Sequence, residues 1–160
     1  VYSRRPFVGE VVTDVLHRST RDPALRAVIR IDDRDVALYG VHLTLPSGRT
    51  KSAEGRRQLL DLLDLLDREP LPVVLAGDFN FTDDSPNAAA LHRAGFVDGH
   101  WIGGRGRGTT WPVASILRWV PGIRIDHVYL RGGLTCVESR TGVGEGSDHR
   151  PNIVRIGFAE

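Results

Sequence analysis

The chain has 160 residues, 41% of them apolar and 26% charged, with a net charge of +1. That is the length and composition of one globular domain, able to bury roughly 70% of its unfolded surface. No apolar run approaches the ~18 residues of a membrane-spanning helix, the single Cys136 excludes a disulfide framework or a Cys-rich zinc site, and the near-neutral charge favours no polyanionic partner.

From the amino terminus, Val1 to Glu10 lack a basic head followed by an apolar stretch, so no signal peptide is visible. The chain opens on Val1 without a Met, in what reads as structured sequence, and is expected to be a fragment or a processed product. An upstream anchor is compatible with it, and its localisation stays open. Val11, Val12, Val15 and Leu16 form a β-branched run. Leu25 to Ile31 alternates Leu25, Ala27, Ile29 and Ile31 against Arg26, Val28 and Arg30, which predicts a strand. A polar turn longer than two residues, Asp32-Asp33-Arg34-Asp35, leads to a second strand over Val36 to Leu43.

A helix is predicted from Ser52, its cap, to Glu69, with Leu59, Leu62, Leu63 and Leu66 at helical spacing and Pro70 and Pro72 ending it. Val73 to Ala76 is wholly apolar, as in a strand buried on both faces. Ser85 caps a second helix with Pro86 in its first turn, and Gly95 ends it. Strands are expected at Ile123–Leu130, Leu134–Ser139 and Asn152–Phe158. Strands outnumber helices, which predicts a mixed sheet with helices on one side.

Four short polar segments follow or lie in apolar strands: Tyr39-Gly40-Val41-His42-Leu43, Ala76-Gly77-Asp78-Phe79-Asn80, Arg124-Ile125-Asp126-His127-Val128 and Gly146-Ser147-Asp148-His149-Arg150-Pro151. Singly, each reads as a turn or as a structural histidine. Asp126 is the exception, because strand interiors disfavour Asp and a half-buried carboxylate needs a partner. Strand ends present side chains to a common cleft, so together these segments make an oxygen-rich site. Such ligands suit Mg2+ or Mn2+. Hydrolysis of a phosphate ester needs a metal, a carboxylate that orients water, and an acid near the leaving oxygen. His127 follows Asp126 in its strand, points to the opposite face and is read as structural, as are His17, His92 and His100.

In this order, with Thr110-Trp111 between, these segments resemble the endonuclease/exonuclease/phosphatase superfamily, the DNase I-like fold; Gly-Asp-Phe-Asn and Ser-Asp-His are its most recognisable signatures. The resemblance runs over nearly the whole chain but over only the second half of the family's pattern. It implies an α/β fold of α+β type: a four-layer α/β sandwich of which residues 1–160 form one domain lacking its amino-terminal portion. It also implies a phosphoesterase acting on a phosphodiester or phosphomonoester. Asp78 would orient or deprotonate the attacking water and touch the metal. Asn80 would donate to a phosphate oxygen, and Asp148 would ligate the metal. His149 would serve as acid/base or phosphate contact, oriented by Asp126, and His42 would sit against the phosphate. Thr110 and Trp111 would support the site. The family's early Asn and Gln-Glu pair, whose Glu is the principal metal ligand, have no match here. Tyr2-Ser3-Arg4-Arg5-Pro6 looks like the family's central Ser-Arg-x-Pro strand.

Between Trp101 and Ile125 there is no acid, while Arg105, Arg107, Arg118 and Arg124 and all three tryptophans fall there. Arg105, Arg107 and Trp111 are therefore candidate substrate contacts. Nucleic acid, with arginines on phosphates and tryptophans on bases, is one partner. A phospholipid surface met by Ile116, Leu117, Arg118, Trp119 and Val120 is another. A core-anchored loop with solvated arginines is the third reading. The missing Glu also leaves open a non-catalytic half-domain that pairs with an amino-terminal segment or with itself, and a nuclease acting on DNA or RNA.

Overall fold

The computed structural model describes residues 1–16, 24–113 and 121–159. His17 and the apolar-basic run at 116–120 lie outside them. Among the described residues, eight strands and three helices follow in chain order: β1 Val12–Thr13, β2 Leu25–Ile31, β3 Arg34–His42, α1 Gly48–Asp67, β4 Val73–Asp78, α2 Pro86–Arg93, β5 Val97–Asp98, α3 Gly99–Gly103, β6 Asp126–Arg131, β7 Leu134–Thr141 and β8 Asn152–Phe158. A six-stranded mixed sheet has the order β1-β2-β3-β4-β6-β5, and β7 and β8 form a separate antiparallel pair. β3 and β4 pair in parallel, as their crossover through α1 requires.

The β2–β3 turn is tighter than the sequence suggests. Arg34 and Asp35 belong to β3, and only Asp32 and Asp33 form the loop, with φ of 47° and 62°. Left-handed torsions at both positions match the right-handed twist of the flanking strands. α1 likewise starts earlier than expected. Ser47 is its N-cap, and Ser52 lies one turn inside, its hydroxyl donating to the Gly48 carbonyl. Ser85 caps α2 as predicted by accepting from the Ala88 N–H at 3.0 Å.

Among the described residues, β1 covers only two positions of the early β-branched run, and residues 2–6 form no strand. There Arg5 bonds the Arg30 carbonyl, and Val8 N–H bonds the Val28 carbonyl. β6 begins at Asp126 rather than Ile123, because Ile123 pairs instead with Trp111.

One face of the large sheet packs on α1 and α2. Ala37, Tyr39, Val41, Val73, Leu75 and Tyr129 meet Leu59, Leu62, Leu66, Ala88 and Leu91 there. The other face is covered differently: Val36, Val74 and Leu130 pack against Leu134 and Cys136 of β7 and Val154, Ile156 and Phe158 of β8. Helices therefore flank the first face, and a second sheet layer covers the other.

Candidate active site

Strand register builds the site. His42, the last residue of β3, is paired with Asp78, the last of β4, and Asp78 is paired with Asp126, the first of β6. Paired residues on neighbouring strands point to the same face. Three side chains from three distant segments thus form one row across the strand ends, at one end of the sheet. The row lies on the face opposite Val41, Gly77 and His127. Gly77 permits the close approach of β3 and β4: it has a φ of 150°, and a Cβ there would lie 1.8 Å from the Val41 carbonyl oxygen.

His149 arrives from the β7–β8 connection. Its Nδ1 and the Asp126 Oδ2 are 2.8 Å apart, and both side chains are about three-quarters covered. His42 Nε2 lies 3.7 Å from Asp78 Oδ2. Ligating atoms of Asp78, Asp126 and His149 all fall within 4.8 Å of one another. The electrostatics follow. Burial pushes the Asp78 carboxyl above its ordinary value; the Asn80 N–H opposes this, and the Asp126 charge reinforces it. For His149, burial opposes protonation, but the hydrogen bond to Asp126 and the charges of Asp126, Asp78 and Asp148 outweigh it and raise its pKa.

The surrounding segments hold this group in place. Thr110, fully buried, accepts at its Oγ1 from the N–H groups of Ile125 and Asp126, each at 3.2 Å. Asn152 Nδ2 donates to the Asp126 carbonyl, a supporting contact that the sequence reading missed. Arg150 N–H bonds the Thr110 carbonyl and Val113 N–H bonds that of Asp148, which ties the loop bearing Asp148 and His149 to the Thr-Trp segment. Asn80, at a φ of 52°, is nearly buried; its N–H donates to Asp78 Oδ1 and its Nδ2 to the Leu43 carbonyl.

Asp148 departs from the expected arrangement. Its Oδ2 accepts from Trp111 Nε1 at 3.2 Å, and it stands outside the converging group of Asp78, Asp126 and His149. Trp111 therefore fixes a loop carboxylate. Arg105 and Arg107 are exposed on the Gly-rich loop after α3.

Arg124 is a clear correction, being neither solvated nor open to phosphate. It is 5% exposed, and its guanidinium donates to both oxygens of Asp98 at 2.7 and 2.9 Å and to Asp83 at 2.6 Å. His127 joins this network, with Nδ1 2.7 Å from Asp98 and Nε2 3.0 Å from the Phe81 carbonyl. Asp83, Asp98 and His127 also converge, but here the guanidinium of Arg124 supplies the positive charge. Burial opposes ionisation of Asp98, yet the bonds to His127 and Arg124 hold its carboxyl below the ordinary range. Asp98 lies in no motif, and its partners Arg124 and His127 are 26 and 29 residues further along the chain.

The Endonuclease/Exonuclease/phosphatase family model matches residues 1–149, and the chain belongs to that family. Solved structures agree on the fold. An endonuclease/exonuclease/phosphatase from Beutenbergia cavernae superposes with a TM-score of 0.78 at 22% identity, over 98% of this chain and 46% of that one. D. rerio TDP2, complexed with a single-stranded DNA product, gives 0.74 at 20% identity over 95% of this chain and 68% of that one. The Bacteroides thetaiotaomicron mannosyl-6-phosphatase Bt3783 gives 0.63 at 18% identity over 86% of this chain and 57% of that one. The chain thus spans about half of the first of these relatives. No curated protein matches it. The fold is DNase I-like, with a mixed sheet and flanking helices.

Proposed function

We propose that the full-length protein is a phosphoesterase dependent on Mg2+ or Mn2+, with the row His42–Asp78–Asp126 and the Asp126–His149 pair as its machinery. The observation that carries the reading is the convergence of two carboxylates and an imidazole within 4.8 Å at one end of the sheet. That donor set is hard and oxygen-rich and fits either ion, with Asp78 and Asp126 as the carboxylates that would hold it. When bound, such a cation neutralises phosphate charge and acidifies a water.

The chain's own residues supply the rest. Asp78, its proton affinity raised by burial, orients the attacking water and takes its proton. Asp126 holds His149 through Nδ1, which leaves Nε2 to protonate the leaving oxygen. His42 stands beside Asp78 against the phosphate, and the second Nδ2 hydrogen of Asn80 serves a phosphate oxygen.

Two carboxylates are a small complement for a divalent cation. We place a further acidic ligand in a segment beyond residues 1–160 or in a partner chain, the half-domain arrangement in which this chain alone is catalytically incomplete. Support comes from the absent Gln-Glu pair, which leaves Asp78 and Asp126 as the two carboxylates of the converging group.

The test is hydrolysis of bis-p-nitrophenyl phosphate by full-length protein. Turnover abolished by EDTA and restored by Mg2+ or Mn2+ is expected. Turnover that survives chelation contradicts the reading.

A further inference from the structure

The glycine-rich loop Gly104 to Gly108, which carries Arg105 and Arg107, is wrapped around one imidazole. A Cβ on Gly104 would lie 2.2 Å from His100 Nδ1 and one on Gly108 2.6 Å from His100 Cε1, so both positions call for glycine. His100 Nε2 is 3.1 Å from the Gly106 carbonyl, and Gly104 forms a bridge with Ser139 of β7. His100, read from the sequence as structural, thus latches this loop.

The contacts continue inward to the site. His100 Nδ1 is 3.3 Å from Ser139 Oγ, Ser139 Oγ donates to Asn152 Oδ1 at 3.5 Å, and Asn152 Nδ2 donates to the Asp126 carbonyl at 3.3 Å. Ser139 is only 4% exposed, so its hydroxyl depends on these partners. The inventory of donors fixes the directions. The Asp126 carbonyl accepts only, which turns Asn152 Nδ2 toward it and leaves Oδ1 facing Ser139. Oδ1 also accepts only, and takes the single hydroxyl hydrogen of Ser139. The Gly106 carbonyl takes its hydrogen from Nε2. With both ring nitrogens donating, the series runs unbroken from the loop to Asp126. With a neutral ring, Nδ1 becomes an acceptor and competes with Asn152 for that one hydrogen.

Charged and titratable groups approach this ring from each neighbouring element. Asp98 of β5 accepts the His100 backbone N–H at 2.8 Å, Arg105 and Arg107 flank Gly106, and Cys136 of β7 sits against Gly103. Glu138 and Arg140 flank Ser139 in β7 and point to the other face. From β6, His127 is bound to Asp98, and Asp126 lies at the far end of the series.

We propose that His100 and Ser139 are positioning residues: through Asn152 they hold the Asp126 peptide group, and with it the Asp126–His149 pair, in a setting that depends on the protonation of His100. The inference rests on the phosphoesterase reading for its effect on turnover, and not for the coupling itself.

The test uses isotope-labelled full-length protein in EDTA. Nuclear magnetic resonance follows the Asn152 side-chain amide and the His100 ring as pH is varied, in wild type and in His149→Gln, which lacks the imidazole bound to Asp126. In both, the Asn152 signals should move in step with the His100 ring, and adding Ser139→Ala should remove that step while the ring still titrates. Asn152 signals that ignore His100, or that follow it equally in Ser139→Ala, overturn the inference. With Mg2+ or Mn2+ and bis-p-nitrophenyl phosphate, Ser139→Ala and Asn152→Ala should each lower kcat roughly threefold or more with KM held, and the double variant should be no slower than Asn152→Ala alone. Effects that multiply in the double variant overturn the inference. Absence of turnover in wild type sinks only the phosphoesterase reading, and the Asn152 signals then decide.

Discussion

Asp126 shows how much one residue's chemistry reveals when its environment is hostile to it. An acid at the start of an apolar strand needs partners, and it has three: His149 on its carboxylate, Thr110 on its N–H and Asn152 on its carbonyl. Thr110 therefore has a measurable role. Thr110→Val keeps the volume and removes the acceptor for two backbone N–H groups. It should destabilise the protein by about 1–3 kcal/mol and lower turnover, as read by chemical denaturation and by kcat. The residues of the site were legible because Asp, Asn and His recur in short polar segments after apolar strands. The contact of Asp148 with Trp111 was not legible, because the indole N–H that its Oδ2 accepts comes from 37 residues earlier in the chain. Arg124 was misread for the same reason: its acids, Asp83 and Asp98, lie 41 and 26 residues distant along the chain.

At the scale of elements, α1 and the strands followed from periodicity, while their ends did not. Ser52 has the chemistry of a cap, but its hydroxyl was satisfied by the Gly48 carbonyl and the helix ran on upstream. β5 and α3, of two and five residues, are too short to carry a period. The apolar stripe of α1 makes a clean prediction. Leu62 is fully buried and Leu60 is 46% exposed. Leu62→Ala should cost about 2–5 kcal/mol, and Leu60→Ala should stay within about 0.5 kcal/mol of wild type, both measured by urea denaturation. The β3–β4 contact is equally strict. Gly77→Ala would drive a methyl group into the Val41 carbonyl and should abolish soluble, cooperatively melting protein.

For the molecule as a whole, the sheet is tied to the end of α1 by an ionic knot. Glu69 accepts from Arg26 and from the Tyr39 hydroxyl, each at 2.7 Å. Burial opposes ionisation of Glu69, but the bonds from Arg26, Tyr39 and Leu71 prevail and hold its carboxyl below the ordinary range; burial and the Glu69 contact push Tyr39 up to about 12. A carboxyl lowered in the folded state stabilises it above the unfolded pKa, and that contribution is lost as pH falls through the folded value. Stability should therefore decline in acid, as pH falls from the ordinary carboxylate range through the lower folded value of Glu69, and Glu69→Gln should flatten that acid limb while lowering stability at neutral pH, as followed by melting temperature against pH. The same global view explains the site. Register alone puts His42, Asp78 and Asp126 in one row, a fact no single segment contains. The row and His149 as hydrolytic machinery are tested most directly by kcat/KM for bis-p-nitrophenyl phosphate with full-length Asp78→Ala and His149→Ala proteins. A fall of roughly a hundredfold or more in each, with the fold intact, is predicted; undiminished turnover in both would contradict it.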